Sequence, residues 1–190
     1  MSELVISAIV GSLRAESLNR RLAAAIEALA PADFRFVYPD LGALPLYNDD
    51  DGQLASVEAF REQIAASDGL LFVTPEYNRS TTPAMKNALD HASRPYGKSV
   101  WAGKPGGVLG CSPGRGGAMA AQLHLRQVLG CLDVRVMSQP EAYLQIAPAS
   151  FHEDGTLTED VEAFVGLWTE RWADWVRWHV AVAEAEGAKA

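Results

Sequence analysis

The stretch Leu4-Val-Ile-Ser-Ala-Ile-Val10, followed by Gly11-Ser-Leu-Arg-Ala-Glu-Ser-Leu-Asn19, decides how the rest of the chain is read. The first seven residues are apolar apart from Ser7, as expected of a strand buried on both faces. The run stops at Gly11, and a helical pattern follows over residues 19–30. A strand that ends in a polar turn at the head of a helix exposes the first N–H groups of that helix, which have no intrahelical acceptor, at the positive end of its dipole. An anion is the natural occupant of such a junction. Ser12, Ser17 and Asn19 add neutral hydrogen-bonding groups, and Arg14 adds a permanent cation that can hold phosphate oxygens through two N–H groups. The turn is predicted to bind a phosphate.

Outward from this turn, strand-like runs at residues 34–38, 69–74, 106–111 and 134–137 alternate with helical patterns at 54–66, 83–93, 116–130 and 159–183. Such alternation predicts an α/β fold with a parallel sheet covered on both faces. Five strands and five helices, with the phosphate turn after the first strand, fit a flavodoxin-like doubly wound five-stranded parallel sheet of order 2-1-3-4-5. Its ligands sit beyond the carboxyl ends of the strands. The ends of the first, third and fourth strands should then meet at one site. The 190 residues suit a single domain spanning 1–190, with residues 184–190 expected to fray.

Composition narrows the function. The net charge of −8 argues against a nucleic-acid binder, so an anionic ligand must be held by a local site. Cys111 and Cys131 both lie in apolar surroundings and read as buried thiols of a reduced, intracellular chain. The sequence starts without a basic segment and hydrophobic signal core, and no apolar run approaches membrane-spanning length. The expectation is a soluble cytoplasmic protein with no membrane insertion. His91, His124, His152 and His179 show no paired spacing, so no metal site is expected.

Two further motifs fall at the expected strand ends. Thr74-Pro-Glu-Tyr-Asn-Arg-Ser-Thr-Thr-Pro83 leads into the third helix, where Pro83 suits the first turn because its missing N–H would be unpaired anyway. The stretch reads equally as a plain loop with a helix cap, or as a ledge formed by Glu76, Tyr77 and Asn78 with one aromatic surface, suited to a flat heterocycle. Gly110-Cys-Ser-Pro-Gly-Arg-Gly-Gly117 either simply connects strand to helix or lets backbone N–H groups approach a ligand closely. A phosphate, a planar ring and a close-approach backbone together describe a mononucleotide.

The string Gly11 to Asn19, the string Pro75-Glu-Tyr-Asn78 with Pro83-Ala-Met-Lys-Asn-Ala-Leu-Asp90 and Ser93-Arg-Pro95, and the segment Gly103-Lys-Pro105 with Ser112-Pro-Gly-Arg-Gly-Gly117 resemble the NADPH-dependent FMN reductase family. That group includes quinone, chromate and azo-compound reductases. All three motifs occur in order across about residues 4–140, which is far more specific than any one of them. The resemblance implies FMN as cofactor and NADPH or NADH as co-substrate. By motif position, Ser12, Arg14, Ser17 and Asn19 match the family's phosphate loop. Pro75, Glu76, Tyr77 and Asn78 match its isoalloxazine loop, and Ser112 and Gly114 match the segment along the far edge of the ring. Arg79 and Thr82 stand where many members carry other residues, so the entry of the second substrate is expected to differ. The implied activity is hydride transfer from a reduced nicotinamide through flavin N5 to small acceptors: quinones, azo compounds, metal oxyanions or free flavin. No catalytic side chain is required, since the flavin carries the chemistry. Arg94 is a candidate substrate-binding contact for a dinucleotide phosphate, with a charge at a helix end as its plainer reading.

Competing readings are weaker. Gly110-Cys-Ser-Pro-Gly114 fits the Gly-x-Ser-x-Gly elbow of serine hydrolases, but Pro113 lacks the N–H that the oxyanion hole would need at that position. A Rossmann dinucleotide fingerprint wants three glycines where the first turn has one. A flavodoxin-like electron carrier without direct NAD(P)H oxidation is permitted by the acidic balance, with Asn48-Asp-Asp-Asp51 as the one acidic cluster and a solvated loop as its plainer reading. Trp168, Trp172, Trp175 and His179 recur at helical spacing on a core-facing stripe, and Trp178 falls off it. That residue, with the habit of the resembled family, predicts a homodimer or homotetramer.

Overall fold

In the computed structural model, which describes residues 3–52 and 54–187, β1 (Leu4–Val10) lies between β2 (Phe34–Val37) and β3 (Gly69–Val73). β3 pairs onward with β4 (Pro105–Ser112), and β4 with β5 (Arg135–Val136), all in parallel. The order β2-β1-β3-β4-β5 is the one anticipated from the alternation. Side chains alternate across the sheet and fill two cores. Leu4, Ile6, Ala8 and Val10 of β1, with Leu71, Val73 and Leu109, pack under α1 (Leu18–Leu29) and α5 (Glu159–Gly187). Ile9, Leu70, Phe72 and Val108 point the other way, toward α2 (Ala55–Ala65), α3 (Pro83–Ala92), α4 (Met119–Cys131) and the buried Trp101. β3 is buried at every position, which explains why its run carries no polar residue.

The anticipated Trp stripe is present. Trp168 and Trp172 of α5 are fully buried, and their rings lie so close over Gly107 that a Cβ there would approach both to 2.6 Å. Gly107 therefore sets how near α5 comes to the sheet. Trp175 is partly buried and donates its indole N–H to the Arg135 carbonyl at 2.7 Å, whereas Trp178 is 59% exposed.

Four features differ from expectation. A sixth strand, β6 (Tyr143–Gln145), pairs with Gly110, Cys111 and Ser112 of β4, leaving β5 only Pro105 and Gly106. α4 starts at Met119 rather than residue 116 because Gly117 and Ala118 sit at φ 53° and 62°, outside helical geometry. α5 continues to Gly187, so residues 184–187 are helical; residues 188–190 lie outside the described residues. Cys111 is buried, but Cys131, at the last turn of α4, is exposed.

Candidate functional site

β1 hands the chain to the phosphate turn through Gly11, whose N–H bonds the Val73 carbonyl at 2.8 Å and whose own carbonyl accepts from the Thr82 hydroxyl at 2.6 Å. Ser17 caps α1: its extended backbone (φ −84°, ψ 125°) lets Oγ accept from the Arg20 N–H at 3.3 Å. The Ser17 O–H remains able to donate to a ligand. Arg20 also reaches back to the Ser12 carbonyl at 3.4 Å and braces the turn. Ser12 and Ser17 are buried at the base of the cleft, and Arg14 is exposed at its rim. Asn19 lines the same cleft, but its amide is spent on Cys111: Nδ2 donates to the Cys111 carbonyl at 3.0 Å, and Oδ1 accepts from the Cys111 N–H at 2.9 Å.

After β3 the chain forms a tight hairpin. Tyr77 and Ser80 exchange two backbone hydrogen bonds of 2.9 and 3.0 Å around Asn78 and Arg79, both at positive φ (51° and 66°). Two left-handed central residues are the geometry of a type I′ turn, which Asn tolerates and Arg does not favour. Tyr77 stays 44% exposed, presenting its ring beside the cleft. The Glu76 side chain turns away from the turn and caps α4: Oε2 accepts from the N–H groups of Ala120 at 2.9 Å and Ala121 at 3.3 Å, and Oε1 meets Arg79 at 3.3 Å. α4 has no cap of its own, since its N-cap position is the left-handed Ala118. Ser80 Oγ and His124 Nδ1, 2.8 Å apart, give a second attachment of the hairpin to α4. Thr82 is a buried cap of α3, accepting from the Met85 N–H at 3.1 Å, so its position at the entry to the site is corrected to a structural one.

The third loop leaves β4 at Gly110, where a Cβ would fall 2.0 Å from the Thr74 carbonyl oxygen, so only glycine lets these strand ends come together. Ser112 Oγ donates to the Gly114 carbonyl at 3.2 Å. Below the loop, the fully buried Gln122 of α4 donates to the carbonyls of Ala142 (2.8 Å), Gly117 (3.3 Å) and Gly110 (3.4 Å). Sequence reading passed over Gln122; its one signal is an amide within the otherwise apolar run Met119-Ala-Ala-Gln-Leu123. Burial pushes the Cys111 thiol up to about 12, which keeps it neutral and unreactive beneath the cleft floor.

The three loops meet in one cleft, lined by Ser12, Arg14, Glu16, Ser17, Leu18 and Asn19 from the first, Pro75, Glu76 and Tyr77 from the second, and Cys111, Ser112 and Pro113 from the third. Asn78 and Gly114 are neighbours of this lining and not part of it. Arg94 is not brought there. It follows α3, whose N-terminus holds the cleft, so about 15 Å of helix separates the two ends. Arg94 instead bonds the Tyr47 hydroxyl at 3.1 Å and lines a separate hollow that also contains the acidic residues Asp49 and Asp51. Among the described residues no group of three His, Cys, Asp or Glu side chains could hold a metal, and no helix is long and apolar enough to cross a membrane.

The cleft fits a mononucleotide. Open N–H groups at the head of α1, the Ser17 hydroxyl and Arg14 suit a phosphate, the exposed Tyr77 ring suits a flat heterocycle, and Gly110 draws the far wall close. Comparison with known proteins agrees. The family model described as NADPH-dependent FMN reductase matches residues 4–149. The chain is 48% identical over 177 residues to a 2-hydroxy-1,4-benzoquinone reductase of a Burkholderia species, covering 92% of this chain and 97% of that one. It is 44% identical over 180 residues to a quinone reductase of Pseudomonas putida, covering 93% and 97%. Among solved structures, a flavoenzyme NAD(P)H:(acceptor) oxidoreductase from Paracoccus denitrificans superposes with a TM-score of 0.89 at 39% identity, covering 93% of this chain and 98% of that one.

Proposed function

The chain belongs to the NADPH-dependent FMN reductase family, and from that premise we propose that it reduces small quinones, the whole chain acting as one FMN-binding domain. It is an oxidoreductase with FMN as cofactor and NAD(P)H as reductant. The observation that carries the proposal is the convergence of three loops on one cleft that takes in both the head of α1, suited to a phosphate, and the exposed Tyr77 residue. The overall exchange is NAD(P)H, a proton and a quinone giving NAD(P)⁺ and a quinol, and bound FMN supplies the two-electron carrier between them.

The chain supplies binding and orientation. Ser12, Arg14 and Ser17 would hold the phosphate, with Asn19 fixing the turn by its grip on Cys111. The backbone of Pro75, Glu76, Tyr77 and Asn78 would bound the ring on one side, and Ser112 with Gly114 would bound its far edge. The anticipated hydrolytic alternative finds no support, because the Ser112 hydroxyl is turned onto the Gly114 carbonyl and its successor is Pro113. The electron-carrier alternative gains nothing from Asn48 and Asp49, which border the hollow with Arg94 and not the cleft. A contact between Arg94 and a dinucleotide would be made outside the cleft, beside Tyr47. A homodimer or homotetramer is supported by the exposed Trp178.

The test is direct. Purified protein reconstituted with FMN is mixed anaerobically with NADPH or NADH, followed at the flavin absorption bands, and then given benzoquinone. Bleaching by a nicotinamide and return of colour with the quinone are expected. A protein that retains no FMN, or whose flavin neither nicotinamide bleaches, would overturn the proposal.

A further inference from the structure

The third loop is anchored at its two ends and open at its crown. It leaves β4 at Gly110, pressed against the Thr74 carbonyl, and it ends at Gly117, whose left-handed backbone lies flat on β6: a Cβ there would fall 2.6 Å from the Leu144 nitrogen. Between these ends nothing lies within 4 Å of where a Cβ would stand at Gly116, and Gly114 has only an ordinary contact. The two bonds on the crown, from Ser112 Oγ to the Gly114 carbonyl and from Gln145 Nε2 to the Pro113 carbonyl, are both 3.2 Å long and exposed, so water competes for them. The buried tie between the ends is Gln122. Its Nε2 faces the carbonyls of Ala142 at 2.8 Å, Gly117 at 3.3 Å and Gly110 at 3.4 Å. Gly110 opens the loop, Gly117 closes it, and Ala142 leads into the strand on which Gly117 rests. Oε1 accepts from no group among the described residues, so the protein uses this amide as a donor alone.

We propose that Gln122 is a positioning residue for the cofactor: its N–H groups draw the two ends of the third loop together and so hold Ser112 and Pro113 against the far edge of FMN, with no contact between Gln122 and the flavin. The inference rests on the reading of the cleft as the FMN site and deepens it by naming the group that places its third wall. Ser112 and Pro113 line the cleft, whereas Gln122 is fully buried beneath it and forms no part of the lining. The Asn19 clamp secures the same wall only at Cys111, on the near side of the loop. Without the amide, three buried carbonyls lose their donor and the far end of the loop is free to swing outward on its glycines. Because only the donor half is engaged, a carboxyl group can stand in for the amide while it is protonated and not once it is ionised, when it would set a negative charge among three carbonyl oxygens.

The test follows FMN release from the diluted holoenzyme by the return of flavin fluorescence, with the Tm taken in the same buffers. Gln122→Glu keeps the shape of the side chain, and burial raises its carboxyl from the ordinary value of about 4.3 toward the range of about 8–9 that buried glutamates reach. The variant-to-parent ratio of release rates cancels the titration of the FMN phosphate itself. It should stay within about threefold of unity at about pH 5.5 and rise about tenfold or more by about pH 9. Gln122→Met, similar in size and without a donor, should release FMN about tenfold faster at every pH. A Gln122 that serves the fold alone would move the Tm of both variants and leave release from the folded protein at the parent's rate, and that result overturns the inference. Where the glutamate variant unfolds at alkaline pH, the acid half of the series still decides. There it should behave as the parent while Gln122→Met releases faster, and equal release from the two variants overturns the inference too. A parent that retains no FMN overturns the reading of the cleft instead.

Discussion

Asn19 and Cys111, ninety-two positions apart, are joined by a reciprocal pair of hydrogen bonds at 3.0 and 2.9 Å in the buried floor of the cleft. The pair ties the first turn of α1 to the end of β4, and so fixes the distance between the phosphate turn and the third loop. Replacing Asn19 with alanine leaves a buried N–H and a buried carbonyl unpaired. The expected cost is about 2–4 kcal/mol of stability, together with weaker FMN binding. Urea unfolding of the apoprotein measures the first and fluorescence titration the second. A loss below about 1 kcal/mol would show that water replaces the clamp.

Gly110 and Gly114 look alike in the sequence and should behave oppositely. A Cβ at 110 would fall 2.0 Å from the Thr74 carbonyl oxygen, which belongs to the backbone and cannot move aside. At 114 the nearest atom is the Ser112 hydroxyl at 3.7 Å, an ordinary contact. Gly110→Ala should abolish soluble expression or lower the Tm severely, and Gly114→Ala should leave the Tm within about one to two degrees, as expected of a site away from any packing defect. Equal behaviour of the two variants would contradict the geometry.

Arg79 occupies the second central position of the type I′ turn at φ 66°, a conformation that costs an L-residue other than Asn or Asp about 1–2 kcal/mol. Its 3.3 Å contact with Glu76 is mostly solvent-exposed and offsets little of that. Arg79→Gly should therefore raise apoprotein stability by about 0.5–1 kcal/mol, the relief of strain being partly cancelled by the greater freedom of glycine in the unfolded chain. Asn78→Gly, beside it at φ 51°, should change little, because Asn already tolerates the left-handed region. Chemical denaturation of both variants is the measurement, and a destabilised Arg79→Gly would mean that the guanidinium contributes more than its exposure suggests.

The sheet was legible because strands buried on both faces, such as Leu4–Val10 and Gly69–Val73, leave unbroken apolar runs between amphipathic helices. β6 was not, since Tyr143-Leu-Gln145 is three residues long and becomes a strand only because the end of β4 has a free edge. The positions of the site loops followed from topology, but the direction of side chains within them did not. Glu76 stands in the expected loop, yet its carboxylate belongs to α4, forty-four positions away, a partnership invisible in local sequence. Arg94 sat close in sequence to the second motif, and the length of α3 carried it away from the cleft into a separate hollow.

Arg14 lines the cleft, where the proposed reading places the phosphate, and pairs with no carboxylate among the described residues. A charged hydrogen bond to phosphate is worth about 1.5–3 kcal/mol, so Arg14→Ala should weaken FMN retention roughly tenfold to a hundredfold. Riboflavin, which has no phosphate, should bind the parent and the variant equally. Unequal riboflavin binding would assign Arg14 to the ring or the ribityl chain, and unchanged FMN affinity would remove it from the site.

The two thiols should separate cleanly under alkylation. Cys131 is exposed at the end of α4, whereas Cys111 lies under the Asn19 clamp with its thiol pushed up to about 12 by burial. Iodoacetamide at about pH 8, near the ordinary thiol value of about 8.5, should add one group per native chain, at Cys131, and two per unfolded chain. The sign of the linkage follows from the raised value: the fold favours the neutral thiol, so this contribution to stability is complete below about pH 8.5 and is lost as the pH climbs toward about 12. Modification of Cys111 should accordingly accelerate on the alkaline side, and Asn19→Ala should advance it to lower pH by loosening the floor above the thiol. Intact-mass measurement across that range counts the adducts, and two adducts on the native protein at about pH 8 would mean that Cys111 is not shielded as its burial requires.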